Sequence, residues 1–127
     1  MVKLFAPAQY WETPEHIIDD MTGGCGPGGF GDGLVPDTLY GLSVFQACRV
    51  HDYMYGVGET LADKEKADRV FLNNMIRLIK AATSWKWLRR LRMRRARTYY
   101  YFVKEFGADA FWSGKNKAEE ERDISYV

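Results

Sequence analysis

No stretch of this sequence is apolar for long enough to cross a bilayer or to act as a secretory signal. The N-terminal run Met1-Val2-Lys3-Leu4-Phe5-Ala6-Pro7 carries one positive charge and breaks at the proline. With only two cysteines, the chain cannot be a small fold held by many disulfides. Charge of either sign is not in excess: the net charge is +1, which excludes a global attraction to nucleic acid or anionic lipid and leaves only local clusters to bind them. Repeats and low-complexity tracts are absent, so nothing signals a solenoid or a second domain.

What is present is an ordinary globular balance. Apolar residues make up 46% and charged residues 28% of 127 residues. That predicts one domain, 1–127, large enough to bury about two-thirds of its unfolded surface. The periodicity predicts an all-α fold. Thr13-Pro14-Glu15 marks a helix start, with Ile17 and Ile18 in the short helix that follows. From Thr22 to Pro36, seven glycines and two prolines leave no room for a regular element, which predicts a long functional loop. Asp37 or Thr38 then caps a helix running to about Tyr55 and ended by Gly56 and Gly58. A second helix runs from Asp63 to about Ala82, with Asp68, Phe71, Leu72, Met75, Ile79 and Ala82 on one stripe. A third is predicted over 84–106, with Trp85, Leu88, Ala96, Tyr99, Val103 and Phe106 on a face that Arg92 interrupts. The segment 115–127 opens with a charge run, Lys115 to Asp123, expected to be solvated or weakly helical.

Chemistry concentrates at His51-Asp52, with Cys48 before and Tyr55 after, downstream of the turn Cys25-Gly26-Pro27-Gly28-Gly29. A histidine titrates near neutral pH and can take a proton from water. The adjacent carboxylate points from a different helix face and suits a hard cation. Asp68 falls on the apolar stripe of the second helix, where an ionised carboxylate is costly unless paired. A histidine on an antiparallel neighbour is the simplest partner; the alternative is that Asp68 lies at the stripe edge in solvent. His16 has no such company and is expected on a surface.

These residues resemble the secreted phospholipase A2 family, whose calcium loop reads X-Cys-Gly-X-Gly-Gly and whose active helix reads Cys-X-X-His-Asp-X-X-Tyr. Ala67-Asp68-Arg69 matches the family's second-helix aspartate, and the resemblance covers roughly residues 22 to 75. The chain departs from the animal enzymes in its few cysteines and in having no obvious β-wing between the helices. It is closer to the pared-down bacterial, fungal and viral forms.

The resemblance implies two antiparallel helices carrying a His/Asp site, a glycine-rich calcium loop and an additional C-terminal helix. His51 would be the general base and Asp68 its orienting partner, supported by Tyr55 and a second tyrosine. Tyr99, Tyr100 or Tyr101 could fill that second place. Calcium would be held by carbonyls of Gly24, Gly26 and Gly28 with the Asp52 carboxylate, and the Gly26 N–H would join it at the oxyanion. A Cys25–Cys48 disulfide is implied too, worth roughly 3 kcal/mol by chain entropy, against the reading of two unrelated core cysteines. The implied reaction is hydrolysis of the sn-2 ester of a glycerophospholipid by a monomer at a phospholipid surface. The implied setting is secreted or virion-associated, so that without a visible signal peptide a virion or secretion-system partner, or a trimmed leader, would supply the route.

From Lys86 to Arg97 seven basic residues alternate with Trp87, Leu88, Leu91 and Met93. One reading is a solvated face whose aliphatic stems cover the core. Another is a membrane interface carried by Trp85, Trp87, Arg89, Arg90 and Arg94. A third is nucleic-acid binding, for which no recognisable motif is present. Leu4, Phe5, Tyr10 and Trp11 could line the mouth of an acyl channel or pack in the core. The rival to an enzyme is a phospholipase-like module, weak or inactive in catalysis, kept for binding.

Overall fold

The computed structural model describes residues 2–21 and 37–112; the glycine-rich segment 22–36, with Cys25 and the expected calcium-loop glycines, and the segment 113–127 lie outside them. The described residues are mostly helical. Six helices and one two-stranded sheet follow in the order α1 (Ala8–Glu12), α2 (Glu15–Met21), β1 (Thr38–Leu39), β2 (Leu42–Ser43), α3 (Phe45–Val57), α4 (Leu61–Ala82), α5 (Lys86–Phe106) and α6 (Ala108–Trp112).

The helix expected from Asp37 or Thr38 begins only at Phe45. Residues 38–43 form instead a tight antiparallel hairpin, pairing Thr38 with Ser43 and Leu39 with Leu42. Its two central residues, Tyr40 and Gly41, have φ of 48° and 84°. Positive φ at both positions is the signature of a type I′ turn, which follows the natural twist of the strands. Tertiary contacts outweigh the bulk of a tyrosine in that conformation. Arg92 donates to Leu39 O, Tyr40 O and Thr83 Oγ1, and Arg95 donates to the Tyr40 hydroxyl from above its ring. Tyr99 donates to Thr38 O. The arginine that interrupts the α5 stripe is thus the hairpin's anchor.

α4 is the central rod, packed on one side by α3 and on another by α5. Its start is fixed by a capping box. Thr60 Oγ1 accepts from Asp63 N–H while the Asp63 carboxylate accepts from Thr60 N–H. One apolar cluster joins Leu39, Val44, Phe71, Met75, Ile79 and Val103 between the three long helices. A second gathers Tyr10, Ile18, Val50, Tyr53, Phe111 and Trp112 around the N-terminal end of α4 and α6. Arg49 ties α2 to α3 through Asp19 at 2.7 Å and Glu15 O. Asn74 holds the N-terminal segment by accepting from Phe5 N–H and donating to Phe5 O, at 2.7 and 2.8 Å. No helix of the described residues is long and apolar enough to cross a membrane.

Candidate active site

α3 and α4 are joined by only three residues, Gly58 to Thr60, which turns them back on each other as an αα-hairpin. On α3, His51 and Tyr55 are four residues apart and share one face, with ring centroids 4.1 Å apart. Across the hairpin, Asp68 meets both. Its Oδ1 lies 2.7 Å from His51 Nε2 and accepts from the Tyr55 hydroxyl, also at 2.7 Å. His51 is fully buried and Asp68 is 2% exposed. Phe71, one turn along α4, stacks at 4.7 Å from the imidazole.

The other carboxylate oxygen has a partner that sequence reasoning missed. Lys64 Nζ donates to Asp68 Oδ2 at 2.8 Å and continues to the carbonyls of Val103 and Lys104 at the end of α5. Lys64 is 4% exposed. Its position four residues before Asp68, one turn back along the same stripe, was the available signal. Of the tyrosines expected for the second place beside Asp68, Tyr99 is committed to the hairpin, Tyr101 is exposed, and Tyr100, half-buried, is not among the hydrogen-bond partners of Asp68, which are His51, Tyr55 and Lys64. A cation takes that place.

Burial would raise the Asp68 pKa, but donors from His51, Lys64 and Tyr55 outweigh it and hold the carboxyl below its usual range. His51 is pushed down chiefly by its burial, with the Lys64 charge adding to the effect and Asp68 opposing it. Tyr55 is pushed up by burial and by the adjacent carboxylate, so it stays a donor. An ionised Asp68 can only accept, which assigns the proton of a neutral His51 to Nε2 and leaves Nδ1 as the basic nitrogen.

α6, absent from the sequence expectations, closes this end. Phe111 packs edge-on against Tyr55 at 5.2 Å and against Trp112 at 4.7 Å. The junction needs Gly107: a Cβ there would press on Val103 O and come within 2.6 Å of the Tyr55 hydroxyl. The five residues Ala108–Trp112 are too few for helical periodicity to show in the sequence.

Asp52, next to His51, is 7% exposed. Its carboxylate is a hard oxygen donor of the kind calcium takes. Gly24, Gly26 and Gly28 lie outside the described residues. Among the described residues no group of three or more His, Cys, Asp or Glu is placed to hold a metal ion. Cys48 is fully buried on α3, and no cysteine among the described residues is free; Cys25 lies outside them.

The interface candidates divide. Trp85 and Trp87 are 63% and 58% exposed with rings 5.7 Å apart, and Arg90 and Arg94 are exposed. Arg89 is half-buried instead, donating Nε and Nη2 to Thr83 O. The tryptophans sit at the far end of α4 from the site, since Asp68 to Ala82 is about 21 Å of helix. Near the N-terminus, Tyr10 is core, packed on Tyr53, while Phe5 and Trp11 are exposed. Comparison of the chain with protein-family models, with curated proteins and with solved structures gives no match.

Proposed function

We propose that the chain is a calcium-dependent, phospholipase A2-like ester hydrolase acting on the sn-2 ester of glycerophospholipids. The observation that carries the reading is the buried contact of His51 Nε2 with Asp68 Oδ1, braced by Tyr55 on the same oxygen. In this reading Nδ1 of His51 takes a proton from water as that water attacks the ester carbonyl. Asp68 holds the ring in the productive tautomer and stabilises the imidazolium that forms, the base-and-orienter logic of hydrolytic triads. In this reading Asp52 and the carbonyls of Gly24, Gly26 and Gly28 would hold calcium, which when bound would supply positive charge for the developing oxyanion beside the Gly26 N–H. A Cys25–Cys48 bridge would fasten the glycine loop to α3.

The test is fatty-acid release from mixed phospholipid vesicles by wild type and His51→Gln, each with calcium and with chelator. Release that needs both His51 and calcium is the expected result. A folded wild type that releases nothing under any condition would refute the enzyme and favour a phospholipase-like binding module.

A further inference from the structure

We propose that the outward face of α5 is a docking surface for an anionic phospholipid bilayer. The structure sorts the seven basic residues between Lys86 and Arg97 into two sets. Arg89 and Arg92, half-buried, and Arg95, exposed, are held by hydrogen bonds to Thr83 and to the hairpin. Lys86, Arg90, Arg94 and Arg97 are exposed and have no ion-pair partner among the described residues.

Three of the second set lie in one row. Trp87, Arg90, Arg94, Arg97 and Tyr101 follow at alternating spacings of three and four, which keeps them on a single face of a helix. All five are exposed. The opposite face, with Ala96, Tyr99 and Val103, is used up in the core, so this row is what α5 offers to a partner. The segment 86–104 contains no acidic residue, in a chain whose net charge is only +1. The excess positive charge is therefore concentrated on this face, which suits a polyanion.

The ends of the row select a lipid surface. Trp87, with Trp85 beside it, and Tyr101 stand about 21 Å apart along a straight helix edge, with arginines between them. Amphipathic rings settle at headgroup depth, while guanidinium groups pair with lipid phosphates in the same plane. The row itself carries no aliphatic side chain to insert, so binding through it would be peripheral and governed by charge. The choice of lipid over other polyanions rests on the hydrolase reading above; the row itself does not.

Sedimentation with vesicles tests it, in chelator so that no hydrolysis intervenes. Wild type is expected to bind phosphatidylcholine vesicles containing about one-third phosphatidylglycerol, to ignore pure phosphatidylcholine, and to release in about 1 M salt, where screening acts within about 3 Å. Arg90→Gln/Arg94→Gln/Arg97→Gln should bind about a hundredfold more weakly, at about fivefold per arginine. Lys66→Gln/Arg69→Gln/Lys80→Gln, which removes the same charge from exposed positions on α4, should bind like wild type. Equal loss in both triple variants, equal binding to neutral vesicles, or no binding by wild type would overturn the proposal. So would capture of a duplex oligonucleotide through this row with vesicles left unbound. Hydrolysis of a dispersed short-chain phosphatidylcholine, which needs no surface, reports separately on the hydrolase reading.

Discussion

Replacing Lys64 by methionine would leave Asp68 as a buried carboxylate with Oδ2 stripped of its donor, while His51 and Tyr55 still crowd Oδ1. Removing one partner of a buried ion pair costs about 3 kcal/mol or more, because the remaining charge has neither water nor a counter-charge. Lys64→Met is therefore expected to lower the unfolding free energy by about 3 kcal/mol in urea titrations at neutral pH. Adding Asp68→Asn should recover part of that loss by removing the stranded charge. A double variant less stable than Lys64→Met alone would show that the lysine acts through its contacts with the α5 carbonyls and not through Asp68. This pair also marks a limit of sequence reading. The need of Asp68 for a partner was visible from the stripe, but His51 and a pair of tyrosines satisfy that need on paper, which left the lysine one turn back without a role.

At the scale of elements, the start of α4 depends on two residues that face solvent. Thr60 and Asp63 close a reciprocal pair of hydrogen bonds, and the Asp63 carboxylate also accepts from Glu59 N–H, a bond that holds its pKa below the ordinary value. Thr60→Ala should cost about 1 kcal/mol, read as a lower urea midpoint with an unchanged slope. A loss below a few tenths would mean that packing alone fixes where α4 begins. α4 and α5 were legible because each has a polar face and an apolar face at helical spacing, whereas α3, buried from Ala47 to Tyr55 except at the half-buried Arg49, was legible through the glycines at its end. The hairpin at 38–43 was not, since two residues per strand are too few for alternation to register. What sustains it is Arg92, a residue 53 positions away from Leu39 that reads in sequence as a flaw in a stripe. α6 escaped notice for a related reason: five residues carry no periodicity, and Phe111 gains its role only once Tyr55 stands beside it.

For the molecule as a whole, the site links folding to pH, and the sign follows from its two titrating groups. Asp68 has a folded pKa below its unfolded value of about 3.9. Its contribution is present above about pH 4 and is lost as pH falls through the folded value. His51 is held below its unfolded value of about 6.5. Below about pH 6.5 the unfolded chain takes up a proton at this histidine that the folded chain refuses, and stability falls at up to about 1.4 kcal/mol per pH unit. Both groups act in the same direction, so acid should destabilise the fold in two stages, one opening near pH 6.5 and one below pH 4. Urea unfolding of wild type and His51→Gln in chelator, from pH 8 to pH 4, separates them. The first stage should be missing from the variant and the second retained. A wild-type stability that stays level between pH 6.5 and pH 5 would mean that the imidazole accepts its proton inside the folded core, with Asp68 outweighing the cost of burial. The neutral His51 required of a general base would then fail at mildly acidic pH while the fold survived.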